Sequence, residues 1–154
     1  MSCSDGWYVT GYFTPGEDQY NDNLVTVSVR GQGQDQFPAD FLRAVSIEGW
    51  GKTRHGWFLG WDRQQGWISG NAALNARGRP LQTGSLAVDR QVMTLGTTVR
   101  ITGLPARWDQ QVFVADDTGG AIVGKHVDVY CGAGAAAKAE TYRVTGTGRR
   151  VCIG

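Results

Sequence analysis

The 154 residues suffice for one domain with a core of its own and are too few for two well-buried ones. The formal net charge is +1 and the 15 basic residues are scattered, with Arg149-Arg150 the single adjacent pair, so the basic stripe of a nucleic-acid binder is excluded. No stretch reaches the roughly 18 consecutive apolar residues of a membrane span, and 23 glycines with 6 tryptophans favour short strands and tight turns over long helices.

In chain order, Trp7 to Thr14 is aromatic and β-branched, reads as a strand, and is stopped by Pro15-Gly16. Glu17 to Asn23 is a polar loop. Leu24 to Val29 alternates strictly, with Val25, Val27 and Val29 on one face. Gly31 to Asp35 reads as a loop, and Pro38 to Val45 as a short helix whose proline suits the first turn. Ile47 to Gly70, carrying Trp50, Trp57, Trp61 and Trp67 between glycines, predicts a hairpin or two short strands. Asn71 to Thr83 has no period and is expected to be extended loop. Short strands follow at Ser85–Val88, Thr98–Thr102, Gln111–Ala115, His126–Tyr130 and Tyr142–Thr145, with one or two helical turns in Ala133–Ala139. Many short strands in one domain predict an all-β barrel or sandwich spanning 1–154.

Cys3, Cys131 and Cys152 form an odd set without a C-x-x-C pair, so no metal site and no cofactor is expected. If one bridge forms, Cys131–Cys152 is the favoured pair; buried free thiols have equal standing. Met1 to Ser4 lacks the basic and apolar regions of a signal peptide, which leaves a trimmed mature form or another export route open.

Three segments place an aspartate at or near the end of an apolar strand: Ala87-Val88-Asp89, Phe113 to Asp117, and His126-Val127-Asp128-Val129-Tyr130. Alternation puts His126, Asp128 and Tyr130 on one face and Val127 and Val129 on the other. It makes Asp116 and Asp117 diverge, one into solvent and one toward a site. A carboxyl group beside apolar neighbours has its ionised form disfavoured and is suited to donate a proton near neutrality. Any one such aspartate alone is more often a turn cap.

Asp117-Thr-Gly-Gly-Ala-Ile-Val-Gly-Lys-His-Val-Asp128-Val-Tyr, with Ala87-Val-Asp89 and Leu95-Gly-Thr97 upstream, resembles the three-aspartate (3D) domain found in the membrane-bound lytic transglycosylase A family. Thr94 stands where that pattern has proline. Val9-Thr-Gly-Tyr-Phe-Thr-Pro15 is similar to the motif that opens the family's catalytic barrel.

The resemblance implies a six-stranded double-psi β-barrel with short helical turns and a Trp/Gly-rich hairpin. It also implies cleavage of the MurNAc–GlcNAc β-1,4 bond of peptidoglycan to a 1,6-anhydro end. Carried over, Asp128 is the acid/base, Asp117 and Asp89 its companions, and Thr14 lines the groove. Tyr12, Trp57, Trp61, Gly119, Gly120, His126 and Tyr130 complete the expected substrate contacts. Trp57 or Trp61 is the tryptophan expected to be exposed for sugar stacking, while core packing claims at least half of the six.

The segment between the N-terminal motif and the aspartates is too short for the family's inserted second domain, so the groove is expected to be shallower or walled by the tryptophans. A monomer acting on wall polysaccharide, secreted or periplasmic, with no nucleic-acid or membrane-spanning role, is the expectation. An inverting endoglucanase-type hydrolase on the same barrel and a non-catalytic expansin-like wall-binding module are the other readings.

Overall fold

The computed structural model describes residues 1–154. Six strands close into a barrel: β1 (Ser2–Thr14), β7 (Ser85–Ala87), β8 (Thr98–Thr102), β9 (Phe113–Asp117), β10 (His126–Ala133) and β11 (Gly146–Ile153). Their order around the barrel is β1-β10-β7-β9-β8-β11, with β1–β10 and β7–β9 parallel and the other pairs antiparallel. Inward residues alternate along each strand, so Val9, Leu86, Val99, Phe113, Ala115, Val127, Val129 and Val151 meet in one interior with no measurable exposure. The six-stranded all-β barrel expected from the sequence is present.

A long helix, α2 (Gly134–Val144), packs on β1. It overruns the strand expected at Tyr142–Thr145. Aromatic and β-branched residues favour a strand there locally, but tertiary packing wins: Val144 is fully buried, and the helix backbone at Thr141 lies against Gly11. A Cβ on Gly11 would stand 2.7 Å from Thr141 Cα, so the close approach requires glycine.

Between β1 and β7 the chain builds a lobe. A two-stranded ribbon, β2 (Leu24–Val29) and β3 (Gly33–Pro38), leads into α1 (Ala39–Glu48), which is followed by a three-stranded sheet of β4 (Trp50–Lys52), β5 (Phe58–Asp62) and β6 (Gly66–Gly70). The segment read as a Gly31–Asp35 loop is mostly strand β3, held by pairing of Val25 with Phe37 and of Val27 with Asp35. Phe37, Phe41, Leu42, Val45, Val29 and Leu59 give the lobe its own small core. Trp50 lies over Gly60 and Gly70, where a side chain would collide with the indole. The lobe is tied back to the barrel where Gly16 bridges Lys52 and Lys52 N–H donates to Pro15 O.

The disulfide is Cys3–Cys152, joining residues paired across β1 and β11, and Cys131 is a buried free thiol. The expected Cys131–Cys152 bridge is therefore corrected. Cys131 points into the barrel interior with Val127 and Val129, whereas antiparallel pairing sets Cys3 beside Cys152.

Candidate active site

Strands β1 and β10 run parallel with Tyr8, Thr10 and Tyr12 beside His126, Asp128 and Tyr130 respectively. Alternation therefore lays two polar rows side by side on the face opposite the barrel core, as the sequence predicts for β10. Thr10 is the residue that sequence reasoning missed; its shared face with Tyr12 and Thr14 was the available signal. Its Oγ1 donates to Asp128 Oδ1 at 2.8 Å and lies 2.8 Å from His126 Nε2.

Burial pushes the Asp128 carboxyl up to about 7, opposed by the Thr10 bond and reinforced by the negative Asp117. Asp128 as a whole residue is half-buried.

Asp117 is raised to about 6 by burial, against the hydrogen bond that Tyr12 Oη donates to its Oδ2 at 2.7 Å; the charge of Asp116 adds to the rise. The expected divergence of Asp116 and Asp117 takes a different form. Asp116 is buried rather than solvated, and its Oδ2 accepts from Ser85 Oγ at 2.9 Å. A register shift between Leu86 and Ala87 on β7 carries the pairing from Ala115 to Asp117, breaking the simple alternation.

Asp89 is not brought to Asp128. Its Oδ2 accepts from Gly124 N–H at 2.8 Å and its Oδ1 from Gln91 N–H at 3.0 Å, bonds that hold its carboxyl below the ordinary range. It caps its own turn and fixes the loop leading into β10.

Thr14 and Tyr130 are buried and share a 2.6 Å hydrogen bond, and Tyr12 and Tyr130 pack with Ala87 and Ile122 beneath the site. These tyrosines and Thr14 shape and support the floor. His126 stacks near Tyr8, with ring centroids 4.6 Å apart, and burial lowers its pKa.

A groove of about 680 Å³ separates lobe from barrel. Trp61, Arg63 and the α1 end at Ser46 to Gly49 line one wall; Thr118, Gly119, Gly120 and Ala121 line the other. Trp61 is 41% exposed and tilts against Trp67. Trp57 instead packs edge-on to Phe37 in the lobe core, so of the two candidate stacking residues only Trp61 faces the groove.

Glu48 belongs to none of the sequence motifs. It stands where this groove meets a second cleft of about 290 Å³ bordered by Phe13, Tyr20 and Lys138. No cluster of side chains suited to a metal ion is present.

Residues 84–150 match the family model described as "3D domain". Among curated proteins none matches the chain. Its fold is that of Escherichia coli MltA, solved with bound chitohexaose: TM-score 0.69 at 17% identity, over 97% of this chain and 71% of that one. A membrane-bound lytic murein transglycosylase from Agrobacterium tumefaciens is similar at TM-score 0.66 and 16% identity, over 96% and 73%. The lytic transglycosylase LtgG of Burkholderia pseudomallei follows the same fold at TM-score 0.60 and 16% identity, over 96% and 71%. At these identities the likeness is one of fold.

Proposed function

We propose that this protein is a lytic transglycosylase that cleaves peptidoglycan at the MurNAc–GlcNAc β-1,4 bond, with Asp128 as its single acid/base. The observation that carries the reading is a carboxyl group on a half-buried residue, with a pKa of about 7, hydrogen-bonded by Thr10 and backed by a second carboxylate, Asp117. Neutral Asp128 donates its proton to the glycosidic oxygen as the C1–O bond breaks. The resulting carboxylate takes the proton from the same sugar's 6-hydroxyl, whose oxygen closes on C1. No activated water enters, and the acid is regenerated in one cycle.

Asp117 keeps negative charge near the oxocarbenium-like centre and raises Asp128. Tyr12, by donating to Asp117, limits how far that carboxyl rises. Asp89 acts at a distance from the chemistry by fixing the Gly124 turn. Trp61 offers an aromatic face to a sugar ring, and Gly119 and Gly120 leave the opposite wall open. The solved relative that carries chitohexaose, a linear N-acetylated glycan, supports a substrate of that shape. The Cys3–Cys152 bridge fits an oxidising setting such as the periplasm or cell wall.

Digestion of purified peptidoglycan is expected to yield 1,6-anhydro ends by mass spectrometry, and Asp128→Asn to reduce release by about 10³-fold or more. Hydrated reducing ends would replace this mechanism with the inverting hydrolase, and an Asp128→Asn protein as active as the parent would remove Asp128 from the chemistry.

A further inference from the structure

Glu48 stands where the two clefts join. Its side chain and that of Ile47 border both the groove containing Trp61 and the cleft containing Phe13, Tyr20 and Lys138, so a linear glycan running from one to the other passes over it. Three features disfavour its ionised form. It is the last residue of α1, where the helix dipole presents its negative end. Its Oε2 accepts one long bond, 3.4 Å from Phe13 N, and it forms no ion pair within 4 Å. It is also partly withdrawn from water.

The groups facing it are Phe13 N–H and Asp128 from the barrel, Lys138 from α2 and Tyr20 from the segment after β1. Asp40 and Arg43 lie along its own helix, and Cys131 on β10 is close enough for its thiol to respond to Glu48's charge. Burial and the charge of Asp128 outweigh Phe13 N–H and Lys138 and lift Glu48 to about 7.

A neutral carboxyl group offers a groove what a carboxylate cannot, an O–H donor. A sugar hydroxyl satisfies either form, because it both donates and accepts. An acetamido carbonyl oxygen only accepts, so it pairs with the neutral form alone. We propose that Glu48 recognises the N-acetyl group of the bound sugar, donating its carboxyl proton in a hydrogen bond to the acetamido oxygen and holding that ring in register with Asp128. Glu48 is thereby the residue that distinguishes an N-acetylated glycan from a plain glucan. This rests on the glycan-cleaving reading above.

The test uses full-length protein with Asp128→Asn, which binds without turnover, and soluble oligomers of N-acetylglucosamine and of glucose as probes in calorimetry. Burial, the larger cause of the raised Glu48 pKa, persists in that variant. Affinity for the N-acetylated oligomer is expected to be highest at the acid end and to fall about five-fold by pH 8.5, as the donor is lost. Adding Glu48→Gln, whose amide N–H also donates, should keep the affinity and remove the larger part of its pH dependence, leaving only what Asp117, at about 6, contributes. Adding Glu48→Ala should remove the preference for the N-acetylated over the glucose oligomer.

A five-fold pH loss that survives Glu48→Gln undiminished, or a preference that survives Glu48→Ala in a protein with an unchanged thermal melt, overturns the proposal. Absence of any cleavage by the parent protein would overturn the lytic reading instead, and the binding comparison would still decide Glu48.

Discussion

The barrel closes six strands on themselves and buries residues from every one of them, whereas the lobe gathers its interior from one helix, a ribbon and a three-stranded sheet around Phe37 and Phe41. The barrel is further cross-linked at Cys3–Cys152, while the lobe is sewn to it at Gly16–Lys52. The two regions divide the labour accordingly. Asp128, Asp117 and Thr10 stand on barrel strands whose registers are fixed on both sides. Trp61, Arg63 and Glu48 stand on the lobe and line one side of the groove. On the proposed function, precision resides in the barrel and recognition is added by the lobe.

The comparison breaks most visibly at the disulfide. Cys3→Ser is expected to lower stability by about 3–5 kcal/mol through the long loop it releases, with hydrogen exchange rising in β1 and β11 ahead of the lobe. Equal loss of protection in both regions would show that they melt as one unit. Next in size, Phe41→Ala should cost about 3–4 kcal/mol within the lobe core. Exchange should rise across α1 and β4–β6 while β10 stays protected, and KM for peptidoglycan should increase more than kcat falls. Unchanged KM would detach the lobe from substrate binding. The smallest effect is expected of Trp61→Ala, about a five-fold weaker hold on glycan from the lost stacking surface, with the thermal melt unchanged. Unaltered binding would leave Trp61 a partner of Trp67 alone.

Much of the barrel's face pattern was legible because alternation is local: Val127 and Val129 inward, Asp128 and Tyr130 on the other face, follow from period two. What failed was settled by distant partners. Strand β3 needed Val25 opposite Phe37 to outweigh a Gly/Gln-rich reading. The helix over Tyr142 needed Gly11, 131 positions upstream, to make room for it. The disulfide needed β1 and β11 to be neighbours, which no spacing of cysteines reveals. In the candidate site, Asp128 and Asp117 were readable; β1 holds each by its own hydroxyl, Thr10 for Asp128 and Tyr12 for Asp117, and the charge of Asp117 reaches Asp128. Asp89, read as their companion, is instead spent on backbone donors. Glu48 lay outside every motif because its setting is made by two regions meeting.

The wall facing Trp61 is built around Gly119, Gly120 and Ala121, and a side chain added at Gly120 would meet no protein atom within 4 Å. Such a wall has almost nothing with which to refuse a passenger. On the proposed function, a polymer hung with bulky branches would have room for them on that side, and would be gripped on the side of Trp61 and Glu48. On that reading, tolerance of decoration along this edge would be set by a few of the smallest residues in the chain.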